Sequence, residues 1–200
     1  MRGDWLRKLT KMQNPVFTRG DYERYSEMVS LALPFYQKHL KDGSRILELC
    51  CGLGCTAIPL SHHYHITALD QDDRILEYAR MNARNFGGRI DFIKGDLRNI
   101  DKTFGRDSFD AVSSSGVMEY FPEDEVKQLV SRQLKIAPLV FINTLLSDIS
   151  NTTDDFGTVK YSYSKNKWFN MLEGYNIIQH KMINELDEMM LVVKRDTKTK

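Results

Sequence analysis

At 200 residues the chain is long enough to bury a full core, and 42% hydrophobic with 28% charged residues is the balance of an ordinary globular protein. A formal net charge of +1 gives no overall reason to expect nucleic acid or an anionic membrane as partner. No apolar run is long enough to span a bilayer, and the start Met1-Arg2-Gly3-Asp4-Trp5 lacks the apolar stretch of a signal peptide, so a cytoplasmic protein away from membranes is expected.

Residues 1–20 read as a basic arm. Arg2, Arg7, Lys8, Lys11 and Arg19 face one acid, Asp4, and Trp5, Leu6 and Leu9 are its apolar members. A lid or a frayed arm fits this pattern better than a nucleic-acid contact, because no aromatic and basic pattern continues elsewhere. Residues 21–200 read as a single domain. Tyr22, Tyr25, Met28, Val29, Ala32, Leu33 and Tyr36 recur at helical spacing, and Pro34 predicts a kink or two short helices.

Arg45–Leu49 is short and apolar, as a buried parallel strand is, and the small residues Cys50 to Cys55 then make a turn before a helix at Thr56–Leu60. His65–Leu69 is a second strand that ends in Asp70. Asp72–Phe86 reads as an amphipathic helix with Ile75, Ala79, Ala83 and Phe86 on one face, and Gly87-Gly88 stop it. Ile90–Lys94 is a third strand, closed by Gly95-Asp96-Leu97. Phe109–Val112 is a fourth, running into a loop from Ser113 to Phe121. Val126, Leu129, Val130 and Leu134 mark a helix, and Leu139–Ile142 a fifth strand. The polar connection Asn143–Lys165 is long enough to be functional or mobile. A helix around Trp168, Phe169 and Leu172 and the strands Tyr175–Ile178 and Met190–Val193 close the chain.

Strand, small-residue turn and helix, with an acid about 20 residues on to hold a ribose, is the opening of a Rossmann-like unit. Glu48 argues against a dinucleotide there: a carboxylate beside the turn repels a pyrophosphate and suits a ligand with positive charge. Cys50, Cys51 and Cys55 all lie in the one turn, so they read as its small residues in a reducing compartment, with neither a disulfide nor a metal site expected.

The run Glu48, Cys50, Gly52, Gly54 resembles the first motif of the class I S-adenosylmethionine-dependent methyltransferases, acid-x-small-x-Gly-x-Gly, with Cys50 where that family usually has glycine. The resemblance extends from Tyr25 to Arg195. It implies a Rossmann-like methyltransferase fold: an α/β domain on a seven-stranded, mostly parallel sheet of order 3-2-1-4-5-7-6, helices on both faces, and an N-terminal helical segment. It implies S-adenosylmethionine as cofactor and S-adenosylhomocysteine as product. The cofactor-binding residues it implies are Tyr25, Glu48, Cys50, Cys51, Gly52, Asp70, Gln71, Asp96, Leu97, Ser113 and Ser114. Tyr25 would close over the methionine end, Asp70 hold the ribose, and Asp96 with the Leu97 N–H meet the adenine.

Family members that methylate amino groups on adenine or glutamine carry an Asn/Asp/Ser-Pro-Pro-aromatic motif after the fourth strand. This chain has no Pro-Pro pair there, and Met118-Glu119-Tyr120 resembles the hydrophobic-Glu-aromatic run of the small-molecule branch. The expected activity is methyl transfer to a small molecule. The alternatives are a protein methyltransferase and a cofactor-binding partner subunit without turnover. Glu119, Tyr120, Tyr161 and His180 are possible bases, and none is singled out.

Overall fold

The computed structural model describes residues 15–147, 152–153, 158–183 and 188–196. Seven strands form a sheet, and the chain divides after Leu97 into two compact units.

The first unit opens with helix α1 (Arg19–His39). Thr18 caps it in a reciprocal box: the Thr18 hydroxyl accepts from the Asp21 N–H at 3.2 Å, and the Asp21 carboxylate accepts from the Thr18 N–H at 3.0 Å. The helix runs unbroken through Pro34, so the expected alternative of two short helices is not what forms. Phe35, Tyr36 and Leu40 are buried beyond the proline, and that burial outweighs the one lost backbone bond. Strand β1 (Arg45–Leu49), the short helix α2 (Ala57–Leu60), β2 (His65–Asp70), α3 (Asp73–Asn85) and β3 (Ile90–Lys94) follow. The three strands are parallel in the order β3-β2-β1, with Glu48 opposite Ala68 and Asp70 opposite Lys94. All of β1 after Arg45 is buried, which is why it reads as a continuous apolar run around Glu48.

The second unit holds α4 (Ile100–Thr103), β4 (Ala111–Ser115), α5 (Glu123–Ile136), β5 (Leu139–Leu145), β6 (Thr152–Thr153), β7 (Val159–Lys160), α6 (Lys165–Met171), β8 (Asn176–Ile183) and β9 (Glu188–Lys194). β4 and β5 are parallel, while β9 runs antiparallel to both β5 and β8. The whole sheet has the order β3-β2-β1-β4-β5-β9-β8, the topology that the family resemblance implies. Strand β4 begins at Ala111 rather than Phe109 and continues to Ser115, so Ser113 and Ser114 belong to the strand and not to a loop after it. Pairing with Phe141 and Ile142 of β5 fixes them, a tertiary constraint that outweighs serine's weak strand preference. β5 runs three residues past its expected end. The connection expected from Asn143 to Lys165 contains the small hairpin β6–β7, separate from the main sheet.

Candidate functional site

In the first unit the turn after β1 is built from residues with positive φ: Cys50 at 50°, Gly52 at 53° and Gly54 at 90°. The Gly54 N–H closes the turn on the Cys51 carbonyl at 2.9 Å. The two glycines have different reasons. A Cβ on Gly54 would stand 3.0 Å from Ile58, so this glycine lets the turn pack on α2. A Cβ on Gly52 would meet nothing within 4 Å, so there the bare backbone faces open space. Cys50 holds a left-handed conformation that an L side chain adopts only at a cost, at the position where the resembled motif has glycine.

Asp70, at the carboxyl end of β2, joins this turn. One carboxylate oxygen accepts the Gly52 N–H at 3.1 Å and the other accepts the Asp72 N–H at 3.1 Å. Burial pushes its carboxyl above the ordinary aspartate value; the N–H groups of Asp72, Gly52 and Gln71 pull the other way, and the Asp72 charge adds to the rise. Gln71 thus meets Asp70 through its backbone. Glu48 is buried on β1, and its charge, after burial and the Asp70 charge, helps to hold the Cys51 thiol well above its usual range. The site is therefore acidic, and both inner cysteines stay protonated at neutral pH, Cys55 with its thiol pushed up to about 11 by burial. None of the three cysteines is in a disulfide. Asp96 follows β3 and is half-buried, and Leu97 is buried at the start of a 3-10 turn.

Tyr25 stands against the turn. Its ring lies 5.0 Å from Phe17, its hydroxyl bonds with the Cys55 thiol, and the Arg24 guanidinium sits 5.1 Å over its face. The residue that ties this corner together is Asn82, fully buried on α3 and not anticipated from the sequence. Its side-chain N–H groups donate to the carbonyls of Leu53 and Pro15, both at 3.1 Å, and its oxygen accepts the Phe17 N–H at 2.9 Å. The one signal was a polar residue among the apolar positions of the α3 stripe. The basic arm expected at residues 1–20 is only partly visible: residues 1–14 lie outside the described residues, while Phe17 is buried against Ile58 and Ala83 as part of the core.

In the second unit Ser113 and Ser114 are each 1% exposed. Glu119 lies in a 3-10 turn, Met118–Tyr120, and is equally buried. Its carboxyl accepts from the Thr144 hydroxyl at 3.5 Å and its backbone carbonyl accepts the Tyr161 N–H at 2.7 Å. Two of the possible bases, Glu119 and Tyr161, thus meet through their backbones. His180 instead packs edge-on against Phe169 from β8, the outermost strand.

Residues 46–136, which carry the glycine turn, Asp70 and Asp96, match the family model of a methyltransferase domain. Over this segment the chain is similar to a methyltransferase domain. A ubiquinone biosynthesis O-methyltransferase of Methylocella silvestris is 32% identical over 112 residues, 54% of this chain and 43% of that protein. A ribosomal protein uL3 glutamine methyltransferase of Neisseria gonorrhoeae is 34% identical over 96 residues, 40% of this chain and 32% of that protein. The chain thus spans less than half the length of these curated relatives. The fold extends beyond the matched segment. Magnesium protoporphyrin IX methyltransferase from Synechocystis, solved with bound S-adenosylmethionine, superposes with a TM-score of 0.65 at 18% identity, covering 86% of this chain and 79% of that one. Around the matched segment, the first unit contributes α1 and Phe17 and the second the strands β5, β8 and β9.

Proposed function

We propose that the protein is an S-adenosylmethionine-dependent methyltransferase whose acceptor is a small molecule. The observation that carries the cofactor reading is the open backbone at Gly52 beside the buried Asp70 carboxylate. At Gly52 no side chain stands between that backbone and a ligand. The Asp70 carboxylate accepts the N–H groups of Gly52, Asp72 and Gln71, and the acceptor capacity that remains is assigned to the ribose hydroxyls. Glu48 and Asp70 give the turn a negative field, which disfavours a phosphate-bearing ligand and favours one with ammonium and sulfonium groups. Asp96 and the Leu97 N–H are assigned to the adenine and Tyr25 to the methionine end; the family resemblance adds Cys50, Cys51, Ser113 and Ser114.

The bound cofactor supplies a methyl group already activated by its sulfonium. The protein's part is then to align an acceptor lone pair behind that methyl and to exclude water, an alignment worth about 7–11 kcal/mol. A base is not implied by this step for an amine, thiolate or carboxylate acceptor, which loses its proton before or after transfer.

The small-molecule reading is supported by the missing Pro-Pro pair after β4, where Ser115-Gly116-Val117-Met118 stands, and by the likeness to the ubiquinone biosynthesis enzyme. The likeness to a ribosomal protein glutamine methyltransferase favours a second reading, a protein acceptor. Calorimetry with S-adenosylmethionine, with ATP and NAD as controls, tests the cofactor. Labelled cofactor offered to the small-molecule, protein and RNA fractions of a cell extract tests the acceptor. Label in the small-molecule fraction is expected; label in protein would establish the second reading, and no cofactor binding would overturn both.

A further inference from the structure

At the end of the sheet where β5 and β8 begin and β9 ends, the second unit holds a cavity of about 580 Å³. Lys194 marks that end, paired with Leu139 of β5 on one side and Asn176 of β8 on the other. Ser113 and Ser114 lie further along, opposite Phe141 and Ile142, toward the carboxyl ends where open α/β sheets bind their ligands. The cavity shares no residue with the glycine turn.

Its volume suits one small molecule. Part of its lining is apolar: Leu134 and Ile136 of α5 are buried, and the half-buried rings of Phe104 and Tyr175 complete it. Both rings are fixed. Phe104 meets Phe109 edge-on at 5.0 Å, and the Tyr175 hydroxyl donates to the Lys127 carbonyl at 3.0 Å. Rings held in this way offer a flat apolar body a surface to stack on. The rest of the lining is basic. Four cations, Arg106, Lys135, Lys194 and Arg195, stand against two acids, Asp101 and Asp196, an excess of two positive charges. Ion pairs hold much of that charge in place. Asp101 takes Arg132 at 2.8 Å and Lys135 at 2.9 Å, and the Arg195 guanidinium donates to Asp107 and to the Leu134 carbonyl. Arg106 and Lys194 are exposed; Arg106 stands 3.8 Å from Asp107, and Lys194 belongs to none of these pairs.

We propose that this cavity is a second binding site, for an aromatic carboxylate whose ring stacks on Phe104 and Tyr175 and whose charge meets Arg106 and Lys194. A single carboxylate matches the small positive excess. A polyphosphate brings more negative charge than the excess, and Asp101 and Asp196 oppose it. The site goes beyond the methyltransferase reading and does not depend on it.

The test uses naphthoate with the full chain, followed by calorimetry and amide exchange. One equivalent should bind and slow exchange in residues 104–106, 131–136 and 174–176. Naphthylmethanol has the ring without the charge and inorganic phosphate the charge without the ring, so each should bind at least about tenfold more weakly. Arg106→Gln combined with Lys194→Gln should weaken naphthoate by about tenfold. The melting temperature of the free protein should not change, because both side chains are exposed. Each single variant, with a loss of about threefold, keeps the test intact if the double variant does not fold. S-adenosylmethionine should neither displace naphthoate nor be displaced by it. The proposal is overturned by no binding of naphthoate, by equal binding of naphthylmethanol or phosphate, or by unchanged affinity in the double variant. Protection confined to other segments, or displacement by S-adenosylmethionine, would overturn it too. A chain that binds naphthoate but not S-adenosylmethionine would overturn the methyltransferase reading and leave this site standing.

Discussion

Asp70 carries two duties with one carboxylate. It holds the turn through the Gly52, Asp72 and Gln71 N–H groups and, in the proposed function, accepts from the ribose with the capacity that remains. Bonds to a charged acceptor contribute about 1.5–3 kcal/mol, so Asp70→Ala should weaken S-adenosylmethionine by roughly tenfold or more, measured by calorimetry. The pH dependence has a definite sign. Burial raises the Asp70 carboxyl above 3.8, so protonation begins above that pH, and cofactor affinity should decline on acidification earlier than an exposed aspartate would allow. Titrations at successive pH values check this; an affinity flat down to 3.8 would take Asp70 out of the ligand contact. At Gly52 a valine would meet a backbone closed to β-branched side chains and would project into the open space assigned to the cofactor. Gly52→Val should abolish cofactor binding while costing about 1–3 kcal/mol of stability, the scale of one strained residue. Calorimetry beside chemical denaturation separates the two effects.

At the scale of elements, α3 acts as a bracket. Ile75, Ala79 and Ala83 bury one stripe, as their spacing predicts, and Asn82 in the same stripe joins Pro15, Phe17 and the glycine turn. Asn82→Ala leaves one buried and two part-buried backbone groups without that partner and should cost about 2–4 kcal/mol in denaturant unfolding. Because the Leu53 carbonyl is released with them, S-adenosylmethionine should also bind more weakly. Phe17→Ala removes a buried ring and should cost about 2–4 kcal/mol, whereas the sequence reading treats residues 1–20 as a separable arm. The α3 stripe is legible because helical periodicity is a local signal. Asn82 is not legible as a bracket, since its partners lie 29 to 67 residues away in the chain. The same holds for β4, whose serines join the strand through pairing with β5.

At the scale of the molecule, a ligand bound to the folded chain alone raises its stability, by about 2.7 kcal/mol at a hundredfold excess over Kd. S-adenosylmethionine should therefore raise the melting temperature and slow amide exchange in residues 50–72, the turn, β2 and the Asp72 cap. ATP and NAD should do neither, because Glu48 and Asp70 oppose their phosphates. A melting temperature that rises equally with NAD would count against the acidic turn as the selector.

The sequence alone determined the elements that depend on neighbours in the chain: five parallel-strand segments, the stripe of α3, the small-residue turn and the acids at the strand ends. The sheet order was implied only by the family resemblance that the ordered motifs carry, not by the apolar pattern of the strands. Tertiary structure decided the rest. It chose an unbroken α1 despite Pro34, assigned Gly52 to open space and Gly54 to packing, and turned the Asp70 carboxylate onto the turn. It also buried Glu119 against Thr144 with Tyr161 beside it. Those outcomes depend on which groups meet across long stretches of chain, where burial and hydrogen bonding outweigh local preference.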